Sequence, residues 1–314
     1  MALIELLSTN LAFYLAVVGV LGLTVGSFLN VVIHRLPIMM EREWRGHCAE
    51  VNSAEIDGAE INGPEVNTEE TLVTAENKNE ETFNLSTPRS RCPHCGHAIT
   101  AFENIPVLSF LWLRGRCSGC KAKISPRYPI VEFVTAVLSV AIAWHFGFTW
   151  AALAGLFFTW ALVALTMIDF DHQLLPDSIT LPFMWVGLAL SLWSVFVDSP
   201  TAIIGALAGY LSLWGIYWAF KLLTGKEGMG YGDFKLLALL GAWMGWQMLP
   251  VIILLSSAVG AVVGITLIVA RGRDRNIAIP FGPYLAAAGW IALLWGHDIT
   301  NVYLEYSGLQ HGLQ

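Results

Sequence analysis

Apolar residues gather into eight runs along the chain: Leu11–Val32, Ile130–Phe146, Trp150–Ile168, Ile179–Val197, Ala202–Leu223, Asp233–Leu249, Val251–Ala270 and Ile277–Trp295. Each holds 17 to 22 residues, and at a helical rise of 1.5 Å per residue that spans about 30 Å, one hydrocarbon thickness. Backbone N–H and C=O groups cannot stay unpaired in lipid, so each run predicts a helix. The first run is too long for a signal-peptide core and follows ten residues without a basic side chain, which predicts a retained helix.

Between the runs, basic residues are distributed unevenly. Eleven of the 17 Lys and Arg lie from Arg35 to Arg127; the other six are Lys221, Lys226, Lys235, Arg271, Arg273 and Arg275. With eight spans all of them fall on one side, whereas 1–10, 147–149, 198–201 and 298–314 hold none. The positive-inside rule then places the segments at 33–129, 169–178, 224–232 and 271–276 in the cytosol and both termini outside it. The expected organisation is a first transmembrane helix (1–33), a cytosolic loop (34–129), a seven-helix membrane domain (130–297) and an extracytoplasmic tail (298–314).

The large loop has two parts. From Glu50 to Glu81 it carries ten acidic residues, one lysine and a degenerate five-residue repeat beginning at Ala54, Ala59 and Pro64. Such a stretch cannot bury enough apolar surface to offset its ordering entropy, so 46–87 is expected to be a flexible solvated insertion. The other part, about 88–125, holds Cys92-Pro93-His94-Cys95 and Cys117-Ser118-Gly119-Cys120, with 21 residues between the halves. Two CxxC turns supply the four thiolates of a tetrahedral Zn²⁺ site, and a closed Cys₄ set holds structure and does not activate water. Disulfides compete with this reading, but the loop is predicted on the reducing side. A redox pair competes too, though such sites seldom come as matched pairs. His94 and His97 are expected on the surface of this zinc-ribbon-like module, and Cys48 lies outside it.

Composition agrees with a membrane protein: 55% of residues are hydrophobic and 13% charged, half the charged share of a soluble domain. That excludes a secreted or cytosolic globular enzyme. The net charge of −7 speaks against nucleic acid as a partner.

Carboxylates at the membrane edge carry the candidate chemistry. Asp169, Asp171 and Asp177 share one short loop, and Asp233 follows in Gly230-Tyr231-Gly232-Asp233. Asp177 directly precedes an apolar run and reads as a helix cap; Asp171 reads as solvated loop. Asp169 follows Met167-Ile168 at a helix C-terminus, where the macrodipole disfavours an anion, while Asp233 opens a helix, where the dipole favours one. Gly230 and Gly232 permit another backbone to come close. Two carboxylates in such unlike settings suit shared acid–base work: one takes a proton from water while the other, protonated, polarises a scissile carbonyl. No HExxH, P-loop or Rossmann glycine fingerprint competes.

In order along the chain stand Val25-Gly26-Ser27-Phe28-Leu29-Asn30, His34-Arg35-Leu36-Pro37, the two CxxC pairs, Asp169-x-Asp171-His172-x-Leu174-Leu175-Pro176-Asp177 and the GxGD motif at Gly230–Asp233. Over residues 19–300, apart from the insertion, the chain closely resembles the bacterial type IV prepilin peptidases, bifunctional prepilin leader peptidase/N-methyltransferases of the GxGD aspartic membrane protease class. The resemblance implies catalytic aspartates at Asp169 and Asp233 and zinc ligands at Cys92, Cys95, Cys117 and Cys120. It implies prepilin or pseudopilin substrates of pilus assembly or type II secretion, cut after Gly at the cytosolic face of the inner membrane. It further implies N-methylation of the new terminus from S-adenosylmethionine, with a cofactor-binding region near Gly115. A proton-coupled transporter is the rival from another class; it predicts carboxylates at mid-membrane and repeated halves, whereas these lie at the edge and no repeat is visible.

Overall fold

Every one of the eight apolar runs contributes to a helix in the computed structural model, which describes residues 2–58, 83–100, 102–226, 228–271 and 280–306. In chain order the helices are α1 (Ala2–Thr9), α2 (Leu11–Gly58), α3 (Leu108–Trp112), α4 (Arg127–Phe146), α5 (Trp150–His172), α6 (Asp177–Ser191), α7 (Ser199–Thr224), α8 (Tyr231–Met244), α9 (Leu249–Arg271) and α10 (Gly282–Tyr306). Among the described residues there is no strand, only two isolated bridges. Five helices, α2, α4, α5, α7 and α9, are long and apolar enough to cross a bilayer. The others matching apolar runs are α6, of 15 residues, α8, of 14, and α10, of 25, whose last turns carry His297, Asp298 and Glu305.

Helix ends depart from the apolar boundaries for local reasons. Hydropathy predicts the first helix to stop at Ile33, yet α2 runs on to Gly58 and takes in the head of the acidic stretch. The residues after Ile33 are good helix formers, Glu41 and Arg45 pair across one turn at 2.6 Å, and Pro37 removes one hydrogen bond without ending the helix. The rest of the insertion, 59–82, and the predicted start of the last run at Ile277 lie outside the described residues. Run four reaches Val197 as an apolar pattern, but α6 ends at Ser191, whose hydroxyl turns back to Leu188 O and meets Ser199 Oγ.

Small residues let the helices touch backbone to backbone, the usual glue where lipid removes any hydrophobic drive between helices. A methyl on Gly22 or Gly26 of α2 would fall 2.7 Å from the Cα of Ala136 or Glu132 on α4. On α7, Gly205 meets Gly241 of α8 so closely that a Cβ would lie 2.2 Å from a carbonyl oxygen. Helix α8 is the hub: from Leu236 to Met244 every residue is buried, and Trp243 donates its Nε1–H to Phe183 O of α6 at 2.7 Å. Farther out, Trp160 bonds Ser139 and Trp290 bonds Thr159 through their indole N–H groups.

Candidate functional site

Three helix ends converge at one end of the bundle. Asp169 stands in the last turn of α5, Asp233 in the first turn of α8, and Gly282 opens α10. Asp169 and Asp233 are only 5% and 7% exposed. Each carboxylate lies within electrostatic reach of the other. Leu175, from the turn between α5 and α6, packs against both Gly232 and Gly282 and ties the three ends together. A methyl on Gly282 would stand 2.6 Å from Asp169 Oδ2. That oxygen is buried and has no hydrogen-bond partner among the described residues.

The other two acidic residues of the loop are occupied. Arg127 of α4 grips Asp171 in a two-pronged pair, with Nη1 2.8 Å from Oδ1 and Nη2 on Oδ2. Lys235 of α8 places its Nζ 2.7 Å from both oxygens of Asp177. Asp177 therefore does not cap α6 as expected: Pro176 holds the cap position, and the Asp177 carboxylate is spent on a cation 58 residues away in sequence. Of four carboxylates at this rim, two are neutralised by cations and two, Asp169 and Asp233, are buried with no cation paired to them among the described residues. Unpaired buried carboxylates are costly, and such groups concentrate where chemistry uses them.

Basic residues collect at the same end. Besides Arg127 and Lys235, Lys221 reaches Tyr217, whose ring lies 5.3 Å from that of Tyr231 at the head of α8. Beside the rim, Pro37, Ile38 and Glu41 of α2 face His172, Gln173 and Leu174 across an open hollow of about 260 Å³. Gly230 serves as the N-cap of α8 and its carbonyl receives the Asp233 N–H at 3.2 Å. Gly232 is needed for room, since a Cβ there would press to 2.8 Å from Leu175. Gly282 was not among the expected site residues. Its signal is visible in Pro280-Phe281-Gly282-Pro283, a glycine between prolines at a helix start, but its neighbour Asp169 is more than a hundred positions away.

Cys92, Cys95, Cys117 and Cys120 form the second cluster, with sulfurs within 4.8 Å of one another. Cys92 and Cys120 are 3.8 Å apart, Cys95 and Cys117 4.0 Å. Four sulfurs around one Zn²⁺ at 2.3 Å are separated by about 3.8 Å, so the set could hold such an ion. The two halves are built alike: Arg91 bridges Ala98 and Arg116 bridges Lys123, and each CxxC is followed by a residue at positive φ, Gly96 and Lys121. Backbone amides of His94 and Cys95 pull the Cys92 thiol down to about 7, while the neighbouring cysteine side chains push Cys95 up to about 11. His97 is occupied elsewhere, 3.2 Å from both oxygens of Glu103. The Ser118 hydroxyl, Thr100 and His97 together hold the Glu103 carboxyl down at about 2. Gly115 has φ +67 and lies under the Phe110 ring, which accounts for a glycine there by packing alone.

Glu132 links this module to the membrane helices. Buried in α4, it accepts the Val107 N–H at 2.7 Å. Arg35 of α2 anchors the module's other edge by donating to the carbonyls of Asn84 and Pro88 at 2.9 and 2.6 Å.

Comparison with known proteins gives two family matches: the bacterial peptidase A24 N-terminal domain over residues 20–146 and the type IV leader peptidase family over 156–265. Among similar curated proteins, the prepilin leader peptidase/N-methyltransferase of Aeromonas hydrophila is 58% identical over 93% of this chain and 94% of its own. The protein of that name from Pseudomonas aeruginosa is 53% identical over 99% and 100%, and the one from Legionella pneumophila 44% over 94% and 96%. No solved structure matches the chain significantly.

Proposed function

Because the chain belongs to the type IV leader peptidase family, we propose that it cleaves prepilin leaders with Asp169 and Asp233 as an aspartyl pair, and then N-methylates the new terminus. One observation carries the catalytic assignment: among the described residues these two buried carboxylates have no cation paired to them, while Asp171 and Asp177 beside them are ion-paired. One aspartate takes a proton from a water molecule as that water attacks the scissile carbonyl. The other, protonated, donates to the carbonyl oxygen and then helps pass a proton to the leaving amine. Close approach of two carboxylates favours one shared proton, since both cannot ionise cheaply side by side.

The edge placement sets the substrate class. A prepilin whose basic leader stays in the cytosol and whose body is an apolar helix presents its scissile bond where the helix enters the bilayer. The inner membrane is the expected location, with this rim and the cysteine module on the cytosolic side and both termini outside. For the second activity S-adenosylmethionine supplies the methyl group. With Phe110 packed over Gly115, no step is assigned to that glycine. The four cysteines would hold a structural Zn²⁺ in a coordinatively closed set.

The test mixes purified protein in detergent with a prepilin and follows leader release. Asp169→Asn and Asp233→Asn are each expected to slow cleavage by roughly 10²–10⁴-fold while keeping the helical signal of the parent. Comparable cleavage by either folded variant overturns the pair.

A further inference from the structure

The cysteine module wears its apolar residues on the outside. Phe102 is 83% exposed, and on α3 so are Leu108 (63%), Leu111 (65%) and Trp112 (88%). Positions 108, 111 and 112 are spaced i, i+3, i+4 and share one helix face. A contiguous exposed apolar face of this kind marks a surface made for contact.

Depth decides the contact. Val107, at the N-terminal cap of α3, gives its N–H to Glu132, and Glu132 lies five residues inside α4. At helical rise that is about 7.5 Å in from the start of α4, the thickness of a headgroup layer. At this height the residues α4 turns outward are Ile130 and Phe133, an apolar row made for lipid. The tie is firm: Val107 holds φ +58, which a β-branched residue adopts only under constraint. Helix α3 therefore begins at the level of the interface, beside a lipid-facing surface. Directly after it come Arg114 and Arg116, both exposed, and the stretch 104–126 contains no acidic residue.

We propose that Leu108, Leu111 and Trp112 form an interfacial foot that seats the cysteine module on the bilayer, with Arg114 and Arg116 on the phosphates of anionic lipids. Apolar side chains sink between acyl chains while the guanidinium groups stay at headgroup height, the arrangement of interfacial helices. The proposal rests on the membrane reading of the chain and is independent of the aspartyl pair.

Full-length protein carrying Trp112→benzoylphenylalanine, reconstituted in phosphatidylcholine nanodiscs with or without phosphatidylglycerol, is illuminated and its adducts weighed. Trp44, on the polar extension of α2, receives the same photoreactive group as a control. Phospholipid adducts at 112 are expected to exceed those at 44 and to rise roughly fivefold or more with phosphatidylglycerol, a rise removed by Arg114→Gln with Arg116→Gln. Adducts at 112 no greater than at 44, or to a second copy of the chain or an added prepilin in place of lipid, overturn it. So does a phosphatidylglycerol response that survives loss of both arginines.

Discussion

The helical bundle and the cysteine module handle polar and apolar groups in opposite ways. The bundle buries carboxylates, Asp169 and Asp233, within packed helices whose backbones meet at glycine. The module gathers four thiols and leaves Trp112, Phe102 and Leu111 outside. In the bundle, position is set by close packing, so geometry near the carboxylates has almost no slack. In the module, position is set by four sulfurs and a few backbone bonds, and there is little core to lose. The same chain thus contains a region specified by volume and a region with four clustered thiols and few buried apolar side chains.

Substitutions can break that contrast region by region. The largest effect is expected at the aspartates, as above. Next comes Gly282→Ala: its methyl would meet Asp169 Oδ2 at 2.6 Å, and displacing a reacting group by about an ångström costs on the order of 10²-fold in rate. Leader cleavage should fall to that extent while methylation of a pre-cleaved pilin by the same preparation persists; equal loss of both would assign Gly282 a general structural role. Cys92→Ser should act in the other region. Bound zinc should drop from about one per chain to near none, and limited proteolysis should open 88–125 while the helical signal of the bundle stays. Metal content unchanged in Cys92→Ser would show that the four sulfurs do not act together. The smallest effects belong to the rim pairs. Lys235→Met and Arg127→Gln each strand a partly exposed carboxylate, for which about 0–1 kcal/mol of stability is expected, read as a small shift of the thermal midpoint in detergent.

The fold was legible where lipid imposes a rule. All eight apolar runs contribute to helices, because a run of that length in a bilayer has no other way to pair its backbone. Boundaries were less legible: hydropathy marks where contact with lipid ends, and α2 continues in water on Glu41–Arg45 pairing and helix propensity. At the site, Asp169 and Asp233 stood out as ionisable residues set among apolar ones, and the structure brings the helix ends that carry them together around Leu175. Asp177 was misread because its partner, Lys235, belongs to another helix, and local patterns cannot show a cation that arrives through tertiary packing. Gly282 was missed for the same reason, as its need for a bare Cα comes from Asp169. Outward-facing α3 residues left no distinguishing trace either, since an apolar pentapeptide reads alike whether it fills a core or meets a membrane.

The shortness of α8 has a consequence for how it is held. Fourteen residues reach about 21 Å, too little to cross hydrocarbon unaided, and their buried surface is wrapped by neighbours on both sides of it in sequence. Helix α8 therefore depends on its neighbours, above all α7, where Gly205 and Gly241 bring the two backbones together. The rim also takes in Gly282 from α10, which packs against Asp169 Oδ2. Without α10 in place, Asp169 would lose the bare glycine backbone that its Oδ2 packs against.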